Sequence, residues 1–394
     1  MVLVRRRLAP RLLGISAALV AVAGATMLTA PAPARSAPLT PLVVSATGSP
    51  RSVASAAYDR MSKRQRIGQL FMAAVPSSGV TQAQIAMLAN NDIDDVILDG
   101  DTTDSRHAVH QETHAIVSGV RFAHVLPFVS TDQEGGEVQR LSGSGFSHMP
   151  TALKQGQQSP SELKKHATHW GSQLLKAGVD LNLAPVADTV PKKNAQDNAP
   201  IGAFHREYGH SPKPVAKHVK AFVHGMNAAD VATTVKHFPG LGRATGNTDT
   251  TPGVTDPTTR HDSYLKPFHA GINAGTQFVM VSSATYPSID PDHIAAFSKT
   301  IIGSMLRGDA SFTGVVISDD LGTSALAAVP VKKRALHFFN AGGTMLLDTS
   351  TGQIPHMIKA VLNKKANNAG FSATLKQDVM TVLLAKAKAG LIPS

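Results

Sequence analysis

Cysteine is absent from all 394 residues. That excludes disulfides and a lipid-modified N-terminal cysteine, so the fold has to be held by burial. Aromatic residues make up only 5% of the chain, with one Trp, and the basic residues are scattered along it. That combination argues against a nucleic-acid partner, which needs clustered cations with interleaved aromatics. No phosphate-binding loop and no His-Glu-x-x-His motif occurs, and the 17 histidines show no metal-ligand spacing. Neither a metal nor another cofactor is expected. Only one long apolar run exists, Leu12 to Ala30, diluted by Gly, Ser and Thr. Arg5-Arg6-Arg7 and Arg11 precede it and Ala32-Pro33-Ala34 follows it. Residues 1–34 are therefore expected to be a secretory signal cleaved after Ala34, with a retained membrane helix as the alternative. The arginine cluster suits either bacterial export route. Cleavage would leave no stable membrane anchor and a secreted, extracytoplasmic protein. Loss of the four arginines lowers the formal charge from +11 to +7, a balance that suits anionic envelope polymers.

Residues 35–56 are rich in Ser, Ala, Pro and Thr without apolar periodicity and read as a linker. Residues 57–394 read as a single domain. About 340 residues can bury one large core. Short apolar runs recur at 69–75, 95–98, 126–129, 181–185, 231–235, 278–281, 315–317 and 344–347. Between most of them lie stretches of helical spacing. One opens at Ser161-Glu162-Leu163-Lys164 and stops at Gly178, and another runs from Pro214 to Met226 with Val215, Val219, Phe222 and Val223 on one face. Alternation of strand and helix predicts a parallel α/β sheet. Eight units suggest a (β/α)8 barrel of TIM type, and a doubly wound open sheet stays possible.

The stretch from Lys236 to Asp249 is the most unusual in the chain. An apolar run ends in Lys236 and His237, Pro239 blocks further helix or central strand, and three glycines follow before Asp249. By itself this fits a glycine-rich surface turn as well as an active-site wall. Other strand ends lead to Asp132, Asp188 and Asp319-Asp320, and Asp348 follows the last run. Polar groups thus gather past the C-terminal ends of strands, where barrel enzymes place their chemistry. For Asp99, Asp320 and Asp348 a helix N-cap is the preferred reading; for Asp132, Lys236 and Asp319 the convergence favours function. Gly240-Leu241-Gly242 with Gly246 only loosely approaches a dinucleotide loop. Ser161-x-x-Lys164 and Ser263-x-x-Lys266 lack the partner motifs of serine acyl enzymes and read as helix caps.

Five motifs together resemble family-3 glycoside hydrolases. They are Met61-Ser62-x4-Ile67-Gly68-Gln69-Leu70-Phe71, Asp132-Gln133-Glu134-Gly135-Gly136-x-Val138-Gln139-Arg140, Asn182-Leu183-Ala184-Pro185-Val186-Ala187-Asp188, Lys236-His237-Phe238-Pro239-Gly240 and Gly314-Val315-Val316-Ile317-Ser318-Asp319-Asp320-Leu321. The order matches the single-domain bacterial β-N-acetylglucosaminidase (β-hexosaminidase) branch that trims peptidoglycan, across about residues 58–394. The chain ends where that branch ends its barrel, so the second domain of family-3 β-glucosidases is expected to be absent. The resemblance implies a (β/α)8 barrel and a retaining exo-glycosidase acting on a carbohydrate partner, terminal β-linked N-acetylglucosamine of peptidoglycan fragments or related glycans. A β-glucosidase or β-xylosidase, or a non-catalytic wall-sugar binder, is the alternative. Oligomeric state is left open.

By the same resemblance Asp319 is the nucleophile. Asp132, Arg140, Asp188, Lys236 and His237 are expected to bind substrate. Arg206, in Arg206-x-Tyr208-Gly209-x-Ser211-Pro212, matches the substrate arginine, although Ile201-Gly202 ahead of it is spaced differently. One departure concerns the proton donor. Where the branch carries Asp-Ser-His, this chain has Asn247-Thr248-Asp249. Asp249 stands in place of the acid/base histidine and Asn247 in place of the aspartate that orients it. Either Asp249 has taken the role, or another group has, with Asp256 next in the region, or turnover is low. A carboxylic acid is the usual donor in retaining glycosidases, which favours Asp249.

Overall fold

The structure, a computed structural model, describes residues 48–393. The expected signal and residues 35–47 of the expected linker lie outside the described residues. The rest of that linker is mostly helix. Pro50–Arg60 starts from a Ser49 cap with Pro at the first turn, and only Ala54 and Ala57 are buried in it. Val53 and Tyr58 pack half-buried beside them, but the Ser, Ala and Pro content of the segment concealed a helix that rests on the C-terminal helix Ala369–Lys388.

Eight strands make the main sheet: β1 (Phe71–Pro76), β2 (Asp95–Asp99), β3 (Val129–Thr131), β4 (Leu181–Asn182), β5 (Ala232–Phe238), β6 (Phe278–Val281), β7 (Val315–Ser318) and β8 (Leu346–Asp348). Their neighbours run β7-β6-β5-β4-β3-β2-β1-β8, every pair parallel. The ring closes where Ile317 bridges Met345 and the Ser318 N–H donates to the Met345 carbonyl at 3.0 Å. Strand order follows chain order with no reversal, so the sheet is a (β/α)8 barrel and not a doubly wound layer.

Each expected run holds a strand, with shifts at the ends. The third starts only at Val129, because the Phe128 N–H donates to the Asp95 carboxylate (2.7 Å). The fourth pairs over two residues, well short of Pro185, which has no N–H to give. Helix Pro160–Lys176 is capped by Ser159 with Glu162 in a reciprocal box, so Ser161 lies inside the first turn. The turn Ser263–Leu265 takes its cap from Asp262. Helix Pro212–Asn227 buries Val215, Val219, Phe222 and Val223, the expected face.

Candidate active site

Past the C-terminal ends of the strands lies a cavity of about 460 Å³. Asp132, Arg140, Arg206, Lys236, His237, Asn247, Asp249 and Asp319 all line it. Asp188, of the expected residues, does not.

One wall is a compensated charge network. Lys236, last but two in β5 and 2% exposed, places Nζ 2.5 Å from Asp132 Oδ1 and 2.6 Å from Glu134 Oε1. Arg206 grips the same Glu134 with two bonds, Nε at 2.8 Å and Nη2 at 2.7 Å. Burial opposes ionisation of Glu134, but Arg206 and Lys236 outweigh it and hold the carboxyl well below its usual range. Burial likewise opposes the Lys236 charge, and Asp132 and Glu134 outweigh it and raise its pKa. Both cations are therefore fixed as charged donors. Two of the three Lys236 protons are committed, leaving one for a ligand. Glu134 is the hub that sequence reasoning missed. It sat inside a quoted motif, and the signal was its two-residue offset from Asp132, which returns it to the same side of an extended segment. The hairpin of Gln133–Gly135 with Val138–Gln139 is held over the barrel by Asn182, whose side chain bonds the Gln133 backbone in both directions (3.1 and 3.0 Å). Arg140 leans outward to Asp101 (2.7 Å).

Asp188 is a correction. Fully buried, it accepts from His237 Nδ1 at 2.7 Å and from the Leu241 N–H at 2.8 Å. Its oxygens face protein, so it positions His237 and the start of the loop instead of meeting substrate.

The loop after β5 divides in two. Its base is clamped: Asn198 donates to the carbonyls of Leu241 (2.8 Å) and Ala244 (2.7 Å), and Tyr286 to that of Gly240 (2.9 Å). Arg243 donates through its backbone N–H to Asp256 (2.9 Å) and through its side chain to Thr258 (2.7 Å) and Asp262 (2.5 Å). A Cβ on Gly242 would stand 2.0 Å from the Thr189 carbonyl, so only glycine fits there. The tip, Thr245 to Thr251, carries Asp249. The Asn247 side chain accepts the Asp249 N–H (2.9 Å), so it orients Asp249 through the backbone and not through the carboxyl. Asp256 is buried and committed to Arg243 and Thr258, outside the cavity.

Asp319 follows β7, its N–H donating to the Val281 carbonyl (2.9 Å) and its Oδ1 accepting from the Asp320 N–H (3.0 Å). Burial, and secondarily the Asp249 charge, push its carboxyl up to about 6 against the pull of His237. Asp249 is open to solvent at the rim, yet the surrounding wall desolvates its carboxyl and raises its pKa, helped by Asp320 and Asp132 and opposed by His237 and Arg206.

The three carboxylates expected to cap helices do other things. Asp320 accepts from Gly322 N (2.7 Å) and from Thr349 N and Oγ1 (2.9 and 2.5 Å), tying the β7 and β8 loops together. Asp348 is fully buried with neither oxygen hydrogen-bonded, and burial pushes it up to about 7. Asp99 is exposed in the cavity wall, while the next helix, Arg106–Val120, is capped by Ser105.

Residues 62–382 match the model of the glycosyl hydrolase family 3 N terminal domain. A beta-hexosaminidase of Stenotrophomonas maltophilia (strain R551-3) is 33% identical over 298 residues, 72% of this chain and 86% of that protein. One of Xylella fastidiosa (strain M23) is 34% identical over 278 residues, 68% and 80% of the two chains. The crystal structure of a beta-N-acetylhexosaminidase from Beutenbergia cavernae DSM 12333 superposes with a TM-score of 0.81 at 41% identity, covering 83% of this chain and 98% of that one.

Proposed function

The chain belongs to glycosyl hydrolase family 3 and is a glycoside hydrolase, and from that premise we propose a retaining exo-β-N-acetylglucosaminidase with Asp319 as nucleophile and Asp249 as acid/base. The observation that supports this best is the contrast between two carboxyls of one cavity. Asp319 is held by backbone bonds at a strand end, and Asp249 rides a loop tip at the rim. Asp319 attacks the anomeric carbon as the bond to the leaving oxygen breaks, and Asp249 gives that oxygen its proton. Water then attacks the glycosyl-enzyme while Asp249, now a carboxylate, takes a proton from it, and Asp319 leaves. A carboxylate at this place repels phosphate, so water is the acceptor and phosphorolysis is not expected. Asp132 and the spare proton of Lys236 take the hydroxyls of the non-reducing sugar, and Arg206 and Glu134 keep that pair fixed.

Relatives named beta-hexosaminidases support the N-acetyl sugar. An extracytoplasmic location and a substrate derived from peptidoglycan complete the reading, supported by the residue pattern of 1–34 and by the positive formal charge. Hydrolysis of nitrophenyl N-acetyl-β-glucosaminide in preference to the β-glucoside and β-xyloside tests the sugar. Asp319→Asn is expected to fold normally and to lose at least about 100-fold in turnover, roughly 2.7 kcal/mol of transition-state stabilisation. Asp320→Asn keeps an acceptor for Gly322 and Thr349 and should be milder. Retention of more than a few per cent of the rate by the Asp319 variant would remove it from the nucleophile role.

A further inference from the structure

Phe204 is one of only two large apolar side chains exposed among the described residues, at 38%, and it lines the cavity. No other Phe, Tyr or Trp does so among the described residues. An aromatic face left in water at a sugar-binding cavity is placed for a ligand, since its burial would otherwise be favourable.

The odd spacing between Ile201-Gly202 and Arg206 is what delivers it there. Gly202–Phe204 forms a single tight turn, and His205 follows in the left-handed region at φ 54°. The turn is rigid. Asn198 Oδ1 accepts the N–H groups of Ile201 (3.2 Å) and Gly202 (2.7 Å), and the His205 carbonyl accepts from Leu153 N (3.1 Å). A Cβ at Gly202 would meet the Ala195 carbonyl at 2.3 Å. Asn198 is also the residue whose amide holds the base of the Asp249 loop. One side chain thus ties the platform to the base of the loop whose tip carries the proton donor.

We propose that Phe204 is the stacking platform for the sugar that leaves, resting on the glycosidase reading above. Of the residues assigned to the non-reducing sugar, Lys236 and His237 lie deep at 2% and 5% exposure and Asp132 is half-buried, whereas Phe204 and Asp249 share the exposed rim. The proton donor must stand at the bond between the two sugars. A rim aromatic anchored with it therefore meets the apolar C–H face of the departing ring. Specificity for a saccharide over a small leaving group would come from this contact.

The test compares wild type, Phe204→Ala and Phe204→Trp on a β-linked N-acetylglucosamine disaccharide and on the β-glycosyl fluoride, which has no departing ring. Phe204→Ala should lower kcat/KM on the disaccharide about tenfold or more and leave the fluoride unchanged, and Trp should restore the disaccharide. Equal losses on both substrates, or none on either, overturn the proposal. A wild type that cleaves neither substrate would defeat the glycosidase reading alone. Calorimetric binding of the disaccharide to Asp319→Asn with and without Phe204→Ala then decides, with weakened binding supporting the platform and unchanged binding refuting it.

Discussion

The two central carboxyls differ in how they can be tested, because their charges influence each other in known directions. Asp319 must be ionised to attack, and its carboxyl sits at about 6, raised by burial and by Asp249. On an activated aryl glycoside, whose leaving group needs no proton, kcat/KM should therefore rise with pH through about 6 and then level off. Asp249→Asn removes a negative neighbour, which makes Asp319 easier to ionise. The acidic limb of the variant should move to lower pH. An acidic limb left in place would mean that Asp249 is not felt by the nucleophile. Asp132, Lys236 and Asp319 were legible from sequence because each ends an apolar run and the runs converge on one face. Asp188 obeyed the same pattern and still faces protein, since its partners, His237 and the Leu241 N–H, are set by how two loops pack. A pattern of strand ends reports position along the barrel and not which way a carboxylate turns.

From its glycines the loop after β5 reads as a surface turn or an active-site wall, and its first half is among the most heavily bonded segments near the site. Arg243 makes the difference, reaching Asp256, Thr258 and Asp262 and lying 4.0 Å over the Tyr264 ring. No sequence pattern pairs an arginine with acids 13 and 19 residues on. Arg243→Ala should free the base and with it the tip that carries Asp249. The expected loss is in kcat for substrates with poor leaving groups, by about tenfold or more, with activated aryl glycosides nearly unaffected. Equal losses on both would mean that the loop shapes the sugar site instead. The eight strands were readable because buried parallel strands are short continuous apolar runs. Helix Pro50–Arg60 was not, because it buries only two alanines fully and its apolar face is short and set among Ser, Ala and Arg.

At the scale of the molecule, the end of the barrel opposite the cavity is closed by a buried ion cluster. Lys386, on the C-terminal helix Ala369–Lys388, puts Nζ 2.8 Å from Asp95 Oδ1, 3.1 Å from Asp94 Oδ2 and 2.8 Å from Gln69 Oε1, all four residues being fully buried. The cluster joins the entry to β1, the start of β2 and the last helix. A trace of it was in the sequence. Lys386 falls three, four and seven residues after Leu383, Val382 and Val379, on the apolar stripe and not on the solvent side. Two carboxylates share one ammonium. Burial therefore pushes Asp95 up to about 7, with Asp94 adding to the rise and Lys386 resisting it. The folded protein holds this proton more tightly than the unfolded chain. Its contribution is full below about pH 4 and is lost as pH rises through about 7. Asp348 at about 7 and Asp378 at about 8, also raised chiefly by burial, act in the same direction. Urea denaturation should accordingly give greater stability at pH 5 than at pH 8. Lys386→Met removes the only cation of the cluster, so Asp95 must keep its proton or stay buried as an unpaired charge. The variant should lose about 3–5 kcal/mol at pH 8 and clearly less at pH 5, where protonation is easy. Because the cluster lies at the far end from Asp319, kcat/KM of the folded variant at pH 5 should match wild type. A loss of the same size at both pH values would assign the worth of Lys386 to packing and not to charge.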